Sequence, residues 1–262
     1  MGARKITLIT LLKTRYPTLN EKELFAAILR GDVIVAGEKV VKPGVRVQAD
    51  ASVRMRGRSR YVSRGGEKLA EALDQWSIPC SGLVWIDAGC STGGFTDCLL
   101  QRGAALVYAV DVGDGQLDWR LRGDPRVRPM EGTNIMALSR ADLHPLPEGA
   151  VADLSFRSLR GAARHILGLT SGGWGIFLVK PQFELRTPTP DFHGVVRDQA
   201  VVRAILRDLA ARLAEEGVFA EKALSSPIKG RKGNKEFLFF LRAGRDVKGP
   251  DADEILSGLV LE

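Results

Sequence analysis

One stretch constrains the fold more than any other: Val84 to Asp97, VWIDAGCSTGGFTD. The apolar run Val84-Trp85-Ile86 ends in Asp87. Gly89, Gly93 and Gly94 then flank Cys90-Ser91-Thr92, and Cys98-Leu99-Leu100 resumes the apolar pattern. This reads as a strand, a tight glycine turn and a helix. Glycines at such a turn take positive φ and let backbone approach a ligand closely. In an open α/β sheet a nucleotide-like cofactor sits at this place, beyond the carboxyl end of a strand. The spacing departs from G-x-G-x-x-G, and no P-loop lysine follows. Tight packing of helix on strand demands the same glycines, so the loop alone leaves both readings open.

From Leu83 onward the pattern alternates strand and helix, which predicts a parallel sheet covered on both faces. Strands are expected at 83–87, 105–111, 150–153 and 175–180, with helices near 94–102, 157–169 and 197–216. Two further segments, 217–224 and 236–242, suit an antiparallel edge. In the last helix Val202, Ile205, Leu206, Leu209 and Leu213 form one apolar stripe that belongs to the core. This α/β domain is expected over 61–244, followed by a charged tail, 245–262, whose place the pattern does not fix.

The 262-residue chain carries a net charge of +7, unevenly spread. Residues 1–68 hold 15 Lys+Arg against 6 Asp+Glu, and the remainder 23 against 25. Such asymmetry points to a polyanion bound by an N-terminal appendage, with a merely soluble basic surface as the alternative. Residues 6–30 read as two helices, the second capped by Thr18 or Asn20, and 33–41 as a small hairpin. That makes a compact α+β domain over 1–51, then a linker over 52–60. Arg54, Arg56, Arg58 and Arg60 alternate, so a strand would align them on one face toward an anion; a solvated linker fits as well. Arg4, Lys5, Arg30 and Arg64 complete the basic set. No apolar run approaches a membrane span, and the N-terminus lacks the pattern of a signal peptide. Cys80, Cys90 and Cys98 form no metal-like pair and suggest reduced thiols in the cytoplasm, and His144, His165 and His193 have no metal-like spacing. No metal is expected.

Acidic and basic groups fall at the ends of the predicted strands. Asp111 ends the second, 24 residues after Asp87, a distance at which a carboxylate can accept hydrogen bonds from both ribose hydroxyls of a nucleoside cofactor. Asp153-Leu154-Ser155-Phe156 ends the third, and Lys180-Pro181 the fourth. Proline keeps Lys180 extended. Asp87, Asp153 and Lys180 would thus converge on the glycine-loop edge, an expensive arrangement unless it serves chemistry.

Two resemblances follow from these motifs. Residues 23–47, ELFAAILRGDVIVAGEKVVKPGVRV, resemble an S4-type RNA-binding module in the pattern from Ile28 to Gly37, although the start has Arg4-Lys5 in place of Arg-Leu-Asp. Nearly the whole chain resembles the TlyA family, in which such a module joins a domain similar to the FtsJ-type ribose 2′-O-methyltransferases. The motifs are YVSRGGEKL (61–69), DAGCSTGGFTD (87–97), ADLSF (152–156), VKPQFE (179–184) and GNKEFLFF (233–240). The resemblance implies a Rossmann-like class I methyltransferase sheet, S-adenosylmethionine as methyl donor, and cytidine 2′-hydroxyls of ribosomal RNA or ribosomal subunits as acceptor. It implies a Lys68-Asp153-Lys180-Glu236 tetrad, with Lys180 as general base or as the cation that stabilises an alkoxide. The donor would lie over Gly89, Cys90, Ser91, Thr92, Gly93 and Gly94, near Asp87. Asp111 would meet its ribose, Asn134 its adenine, and Asp153-Leu154 its methyl end. Lys229, Arg231, Lys232 and Lys235, a basic glycine-rich loop before Glu236, would clamp RNA backbone. The alternatives are a non-catalytic RNA-binding protein that keeps the cofactor site, or a haemolysin.

Overall fold

A computed structural model describes residues 4–55, 60–155, 158–185, 192, 194–230, 233–244 and 249–259, with the side chain of Arg30 outside the description. The chain divides into two compact units, 1–59 and 60–262.

In the first unit β1 (Lys5–Thr7) leads directly into α1 (Leu8–Arg15), whose N-cap is Thr7. The expected helix therefore starts two residues late, and Ile6 is paired as a strand against Val47. α2 (Glu21–Arg30) starts at Asn20. Its side chain accepts from Glu23 N–H, while Glu23 accepts from Asn20 N–H, a reciprocal cap. Gly31 ends it at φ 75°. β2 (Val33–Val35), β3 (Glu38–Lys39), β4 (Arg46–Gln48) and β5 (Val53–Met55) follow. β2 lies between β3 and β5, and β1 pairs with β4. Leu8, Leu11, Leu12, Leu24, Ile28 and Val33 form the core. The linker expected over 52–60 is corrected: Val53–Met55 is a paired strand. Arginine at alternate positions leaves Val53 and Met55 for the opposite face, where both pack on the core.

The second unit begins with α3 (Gly65–Gln75), β6 (Val84–Ala88), α4 (Gly94–Gln101), β7 (Leu106–Val110), α5 (Trp119–Arg122) and β8 (Val127–Met130). It continues with β9 (Gly149–Ala152), α6 (Ala162–Gly168), β10 (Trp174–Val179), α7 (Pro181–Glu184), α8 (Gln199–Glu215), β11 (Val218–Ser225), β12 (Phe237–Ala243) and α9 (Ala252–Ser257). The sheet order is β11-β12-β10-β9-β6-β7-β8. Five strands are parallel, and β12 runs antiparallel to both β10 and β11. Strand order reverses between β6 and β9, the switch point at which open α/β sheets hold ligands. Successive residues feed opposite faces: Trp85 packs with α3 and α4, Ile86 with α6, α8 and α9. The α8 stripe Val202, Ile205, Leu206, Leu209 and Leu213 is buried as expected.

β8 is absent from the periodicity because Arg128-Pro129 interrupts its apolar pattern. It is an edge strand, where proline is tolerated. The expected helix over 157–169 is shorter and begins at Ala162, after Gly161 at φ 70°. The tail beyond 244 is part of this unit: Leu256 and Leu259 are buried in the core, and Arg203 donates to the Leu256 carbonyl at 3.2 Å.

Candidate active site

Strand register builds the site. Ala88 on β6 pairs with Ala152 on β9, so Gly89 and Asp153 are the next positions of neighbouring strands. β9 pairs with β10, which ends at Val179 immediately before Lys180. Val179 pairs with Phe237 on antiparallel β12, so the next pair outward is Lys180 and Glu236. Gly89, Asp153, Lys180 and Glu236 therefore follow one another across four adjacent strands. An antiparallel strand starts where its parallel neighbour ends, which is why Glu236 precedes its strand while the others follow theirs.

Lys180 Nζ lies 2.5 Å from Asp153 Oδ1, and donates to the Leu154 carbonyl at 2.9 Å and to Ser155 Oγ at 3.3 Å. The Asp153 contact is an ion pair without the alignment of a hydrogen bond. The Lys180 side chain is 10% exposed and Asp153 26%. Lys68, buried on α3, makes an ion pair with Glu236, itself 5% exposed. Buried charges are tolerated when paired in this way. α3 is held in place at its start by α4. Asp97 accepts from Val62 N–H at 2.7 Å, and Gln101 donates to the Arg60 carbonyl at 2.8 Å. A Cβ on Gly94 would lie 2.2 Å from Ser63 Oγ and 3.0 Å from Gly66 N, so only glycine lets the two helix starts approach.

The glycine loop differs from the simplest expectation. Gly89 and Gly93 take φ of 83° and 91°. A Cβ on Gly89 would lie 2.6 Å from the Asp153 carbonyl, and one on Gly93 2.2 Å from Leu121. These two glycines serve packing of the loop on its own protein. The exposed part is Ser91-Thr92. Cys90 is buried with no disulfide, and burial pushes its thiol well up, the state of an inert turn filler. Asp87 is fully buried within β6, accepting from Thr96 N–H at 3.0 Å and Thr96 Oγ1 at 2.6 Å. It braces α4 from beneath, with no exposed surface of its own. Burial pushes its carboxyl up to about 7.

Asp111 Oδ2 accepts from Ser91 N–H at 2.8 Å and Oδ1 from Gly113 N–H at 2.7 Å. Each oxygen keeps a lone pair for a ribose hydroxyl. Beside it Val112 is 73% exposed, an apolar surface for a base. Asn134 is exposed, its Oδ1 occupied by Met136 N–H at 3.0 Å, its amide nitrogen directed at no described partner. With exposed Ser91-Thr92 at the switch point, a diol acceptor at Asp111 and the acidic Asp153 for a cationic centre, this donor set fits S-adenosylmethionine. Among the described residues no His, Cys, Asp and Glu cluster is arranged to hold a metal.

Three residues that the sequence motifs give no role support the site. Glu184 is buried and accepts from Leu159 N–H at 2.9 Å and Ser158 Oγ at 2.5 Å; burial pushes its carboxyl up while these bonds oppose the shift. Asn234 donates to the Gly194 carbonyl at 2.8 Å and accepts from Val196 N–H at 3.3 Å. A Cβ on Gly230 would lie 2.1 Å from Glu236 Oε1. Each partner is set by tertiary structure, so local pattern carries no sign of it. Of the basic residues, Arg4, Lys5 and Arg54 are exposed in the first unit, and Arg60, Arg64 and Lys229 in the second, where Lys235 is half-buried. Arg56, Arg58, Arg231, Lys232, Phe156 and the Arg30 side chain lie outside the described residues.

A seven-stranded sheet of this order, with charged residues gathered at its switch-point edge, defines a Rossmann-like class I methyltransferase. Residues 61–243 match the FtsJ-like methyltransferase family, and the chain belongs to it. That family uses S-adenosylmethionine. The chain is 41% identical to the 16S/23S rRNA (cytidine-2′-O)-methyltransferase TlyA of Mycobacterium tuberculosis over 82% of each chain. It is 37% identical to Hemolysin A of Brachyspira hyodysenteriae, over 80% of this chain and 89% of that one. The solved structure of a candidate hemolysin from Streptococcus thermophilus superposes with TM-score 0.72 at 33% identity, covering 98% of this chain and 96% of that one.

Proposed function

We propose that this protein methylates the 2′-hydroxyl of cytidine in ribosomal RNA, with Lys68, Asp153, Lys180 and Glu236 as its reaction site. The observation that supports the reading is the gathering of charged strand ends beyond the glycine loop: register brings Lys180 beside Glu236, and the Lys180 side chain reaches back to Asp153 at 2.5 Å. The RNA substrate comes from the relatives named as ribosomal RNA cytidine-2′-O-methyltransferases.

When bound, S-adenosylmethionine supplies an electrophilic methyl group on a cationic sulfur. Ser91-Thr92 and Asp111 would hold its nucleoside, with Val112 against the base. Asp153 would face the positive end. Lys180 is the group that meets the ribose 2′-oxygen. Three acceptors surround its Nζ within 3.3 Å, the surroundings of an ammonium. This favours a cation that stabilises negative charge as it develops on the oxygen, over a neutral amine that takes the proton. Ser155, the longest of the three contacts, is the one a substrate hydroxyl would replace. Glu236 and Lys68 hold one another at the other side of Lys180.

The first unit, with its exposed Arg4, Lys5 and Arg54, would act as the S4-like RNA-binding part, and Lys229 and Lys235 would contact phosphate near the site. Among the described residues no helix is long and apolar enough to cross a membrane. Work on ribosomal RNA would put the protein in the cytoplasm.

The test is incubation of purified protein and labelled S-adenosylmethionine with ribosomes, separated subunits and naked RNA, followed by nucleoside analysis. Labelled 2′-O-methylcytidine is expected, and Lys180→Ala is expected to lose about 100- to 10,000-fold in kcat. Methylation of a base instead of a ribose would sink the mechanism. Binding of the donor with no transfer to any RNA would favour a non-catalytic RNA-binding protein. Retention of activity in Lys180→Arg, with a flat pH–rate profile, supports the electrostatic role; loss of it supports the base.

A further inference from the structure

We propose that Glu184 is a positioning residue for methyl transfer: its carboxylate fixes the turn that presents Asp153 to Lys180. The proposal rests on the methyl-transfer reading above. Lys180 and Glu184 stand at the two ends of the short α7 turn. Lys180 Nζ grips the segment after β9 at Asp153, Leu154 and Ser155. Glu184 grips the same segment further along, through Leu159 N–H at 2.9 Å and Ser158 Oγ at 2.5 Å. The two strand-end turns are thus joined at both ends, at 153–155 and at 158–159.

Local preference does not account for a glutamate here. A carboxylate at the last residue of a helical turn meets the negative end of the backbone dipoles. At 5% exposure it also forgoes water, a cost recovered only if its lone pairs are filled. They are filled from one source. Oε1 takes the Leu159 amide and Oε2 the Ser158 hydroxyl, which itself accepts from Arg160 N–H at 3.2 Å and Arg160 Nε at 3.0 Å. Arg160 Nε stands 4.0 Å from Oε2 and balances part of the charge. All these contacts go to the turn on the acceptor side of the sheet. The donor-side groups Ser91 and Asp111 hang from β6 and β7, away from these bonds. Loss of Glu184 would therefore loosen Asp153 against Lys180, while the nucleoside contacts at Ser91 and Asp111 stay in place and donor binding loses only the share that Asp153 supplies.

The test compares full-length Glu184→Ala, Glu184→Gln and Lys180→Ala on the ribosomal substrate that the wild type methylates, at a temperature where tryptophan fluorescence shows each variant folded. Glu184→Ala is expected to lose about 100-fold in kcat, the scale of a misplacement near 1 Å. KM for RNA should stay within about twofold and donor affinity should fall far less than kcat, about threefold at most, the mark of an interaction that matters mainly in the reacting complex. Glu184→Gln should recover part of kcat, because its amide oxygen still accepts from Leu159 N–H, while its nitrogen faces a Ser158 oxygen whose lone pairs Arg160 already fills. An unchanged kcat in folded Glu184→Ala overturns the proposal. So does a donor affinity that falls in step with kcat, or a glutamine variant as poor as the alanine one. If Lys180→Ala is as active as wild type, the functional reading fails first and takes the proposal with it. If Lys180→Ala is dead while Glu184→Ala is not, only the proposal fails.

Discussion

Gly230 occupies a position where a single methyl group would meet Glu236 Oε1 at 2.1 Å and Cδ at 2.7 Å. The atoms met belong to the carboxyl end of Glu236, whose other oxygen pairs with Lys68, so moving it aside disturbs that pair. Gly230→Ala should therefore lower kcat about tenfold or more while donor affinity holds, measured by methyl transfer and by equilibrium donor binding. Asp87 gives a pH signature. Desolvation raises its carboxyl to about 7, against the hydrogen bonds from Thr96, with Asp153 and Asp111 adding repulsion. The folded state thus holds this proton better than the unfolded chain does. The stability it contributes is present below the unfolded carboxylate range near 4 and is lost as pH rises through about 7. Urea midpoints read between pH 5 and 8 should fall more for wild type than for Asp87→Asn; parallel curves would refute the assignment. All four tryptophans, Trp76, Trp85, Trp119 and Trp174, lie beyond residue 59, so their fluorescence reports on the second unit alone. The motif residues Lys68, Asp153, Lys180 and Glu236 were legible because each sits in a specific short pattern. Asp87 was legible as a strand acid, but not as a brace, because its partner Thr96 depends on how far the helix tucks under. Glu184 lay inside a recognised motif, yet its role is set by Ser158 and Leu159, 26 and 25 residues away.

At the level of elements, the glycine loop proposed to hold the donor depends on the segment beside it. Leu117 and Leu121 press on Gly93, and Asp118 N–H reaches the Thr92 carbonyl at 3.3 Å. Gly93→Ala must place a side chain at φ 91° and against two leucines. It should weaken donor binding by well over tenfold, since strain and clash together cost about 2 kcal/mol or more. Calorimetric titration with S-adenosylmethionine checks it. α9 gives the opposite case, a remote element whose loss is felt as stability. Leu256 is 1% exposed in the core beside α8, and Leu256→Ala should cost about 2–4 kcal/mol in the tryptophan-monitored transition. The α8 stripe, the parallel strands and the glycine turn were readable from period alone. β8 was hidden by its proline, and β5 by arginines that drew attention to the solvent face. α9 was hidden because six residues offer too little period to read.

Across the whole molecule, charge is divided from chemistry. The N-terminal quarter carries the positive excess, and the second unit carries the paired lysines and carboxylates. RNA affinity should fall steeply with salt. Replacing Arg4, Lys5 and Arg54 by alanine should flatten the plot of log affinity against log salt by about 0.7 to 0.9 for each phosphate no longer neutralised. Donor affinity should not change; filter binding and donor titration on the same preparation separate the two. The threading of the sheet has a further consequence, for synthesis. β12 lies between β10 and β11, yet leaves the ribosome after both. The sheet must keep a slot open until the last strand arrives, and with it comes Glu236, which meets Lys68 across 168 residues. A polypeptide released before that point has the glycine loop after β6 but lacks the carboxylate that pairs with Lys68. On the methyl-transfer reading, a chain cut short before β12 should therefore show no methyl transfer.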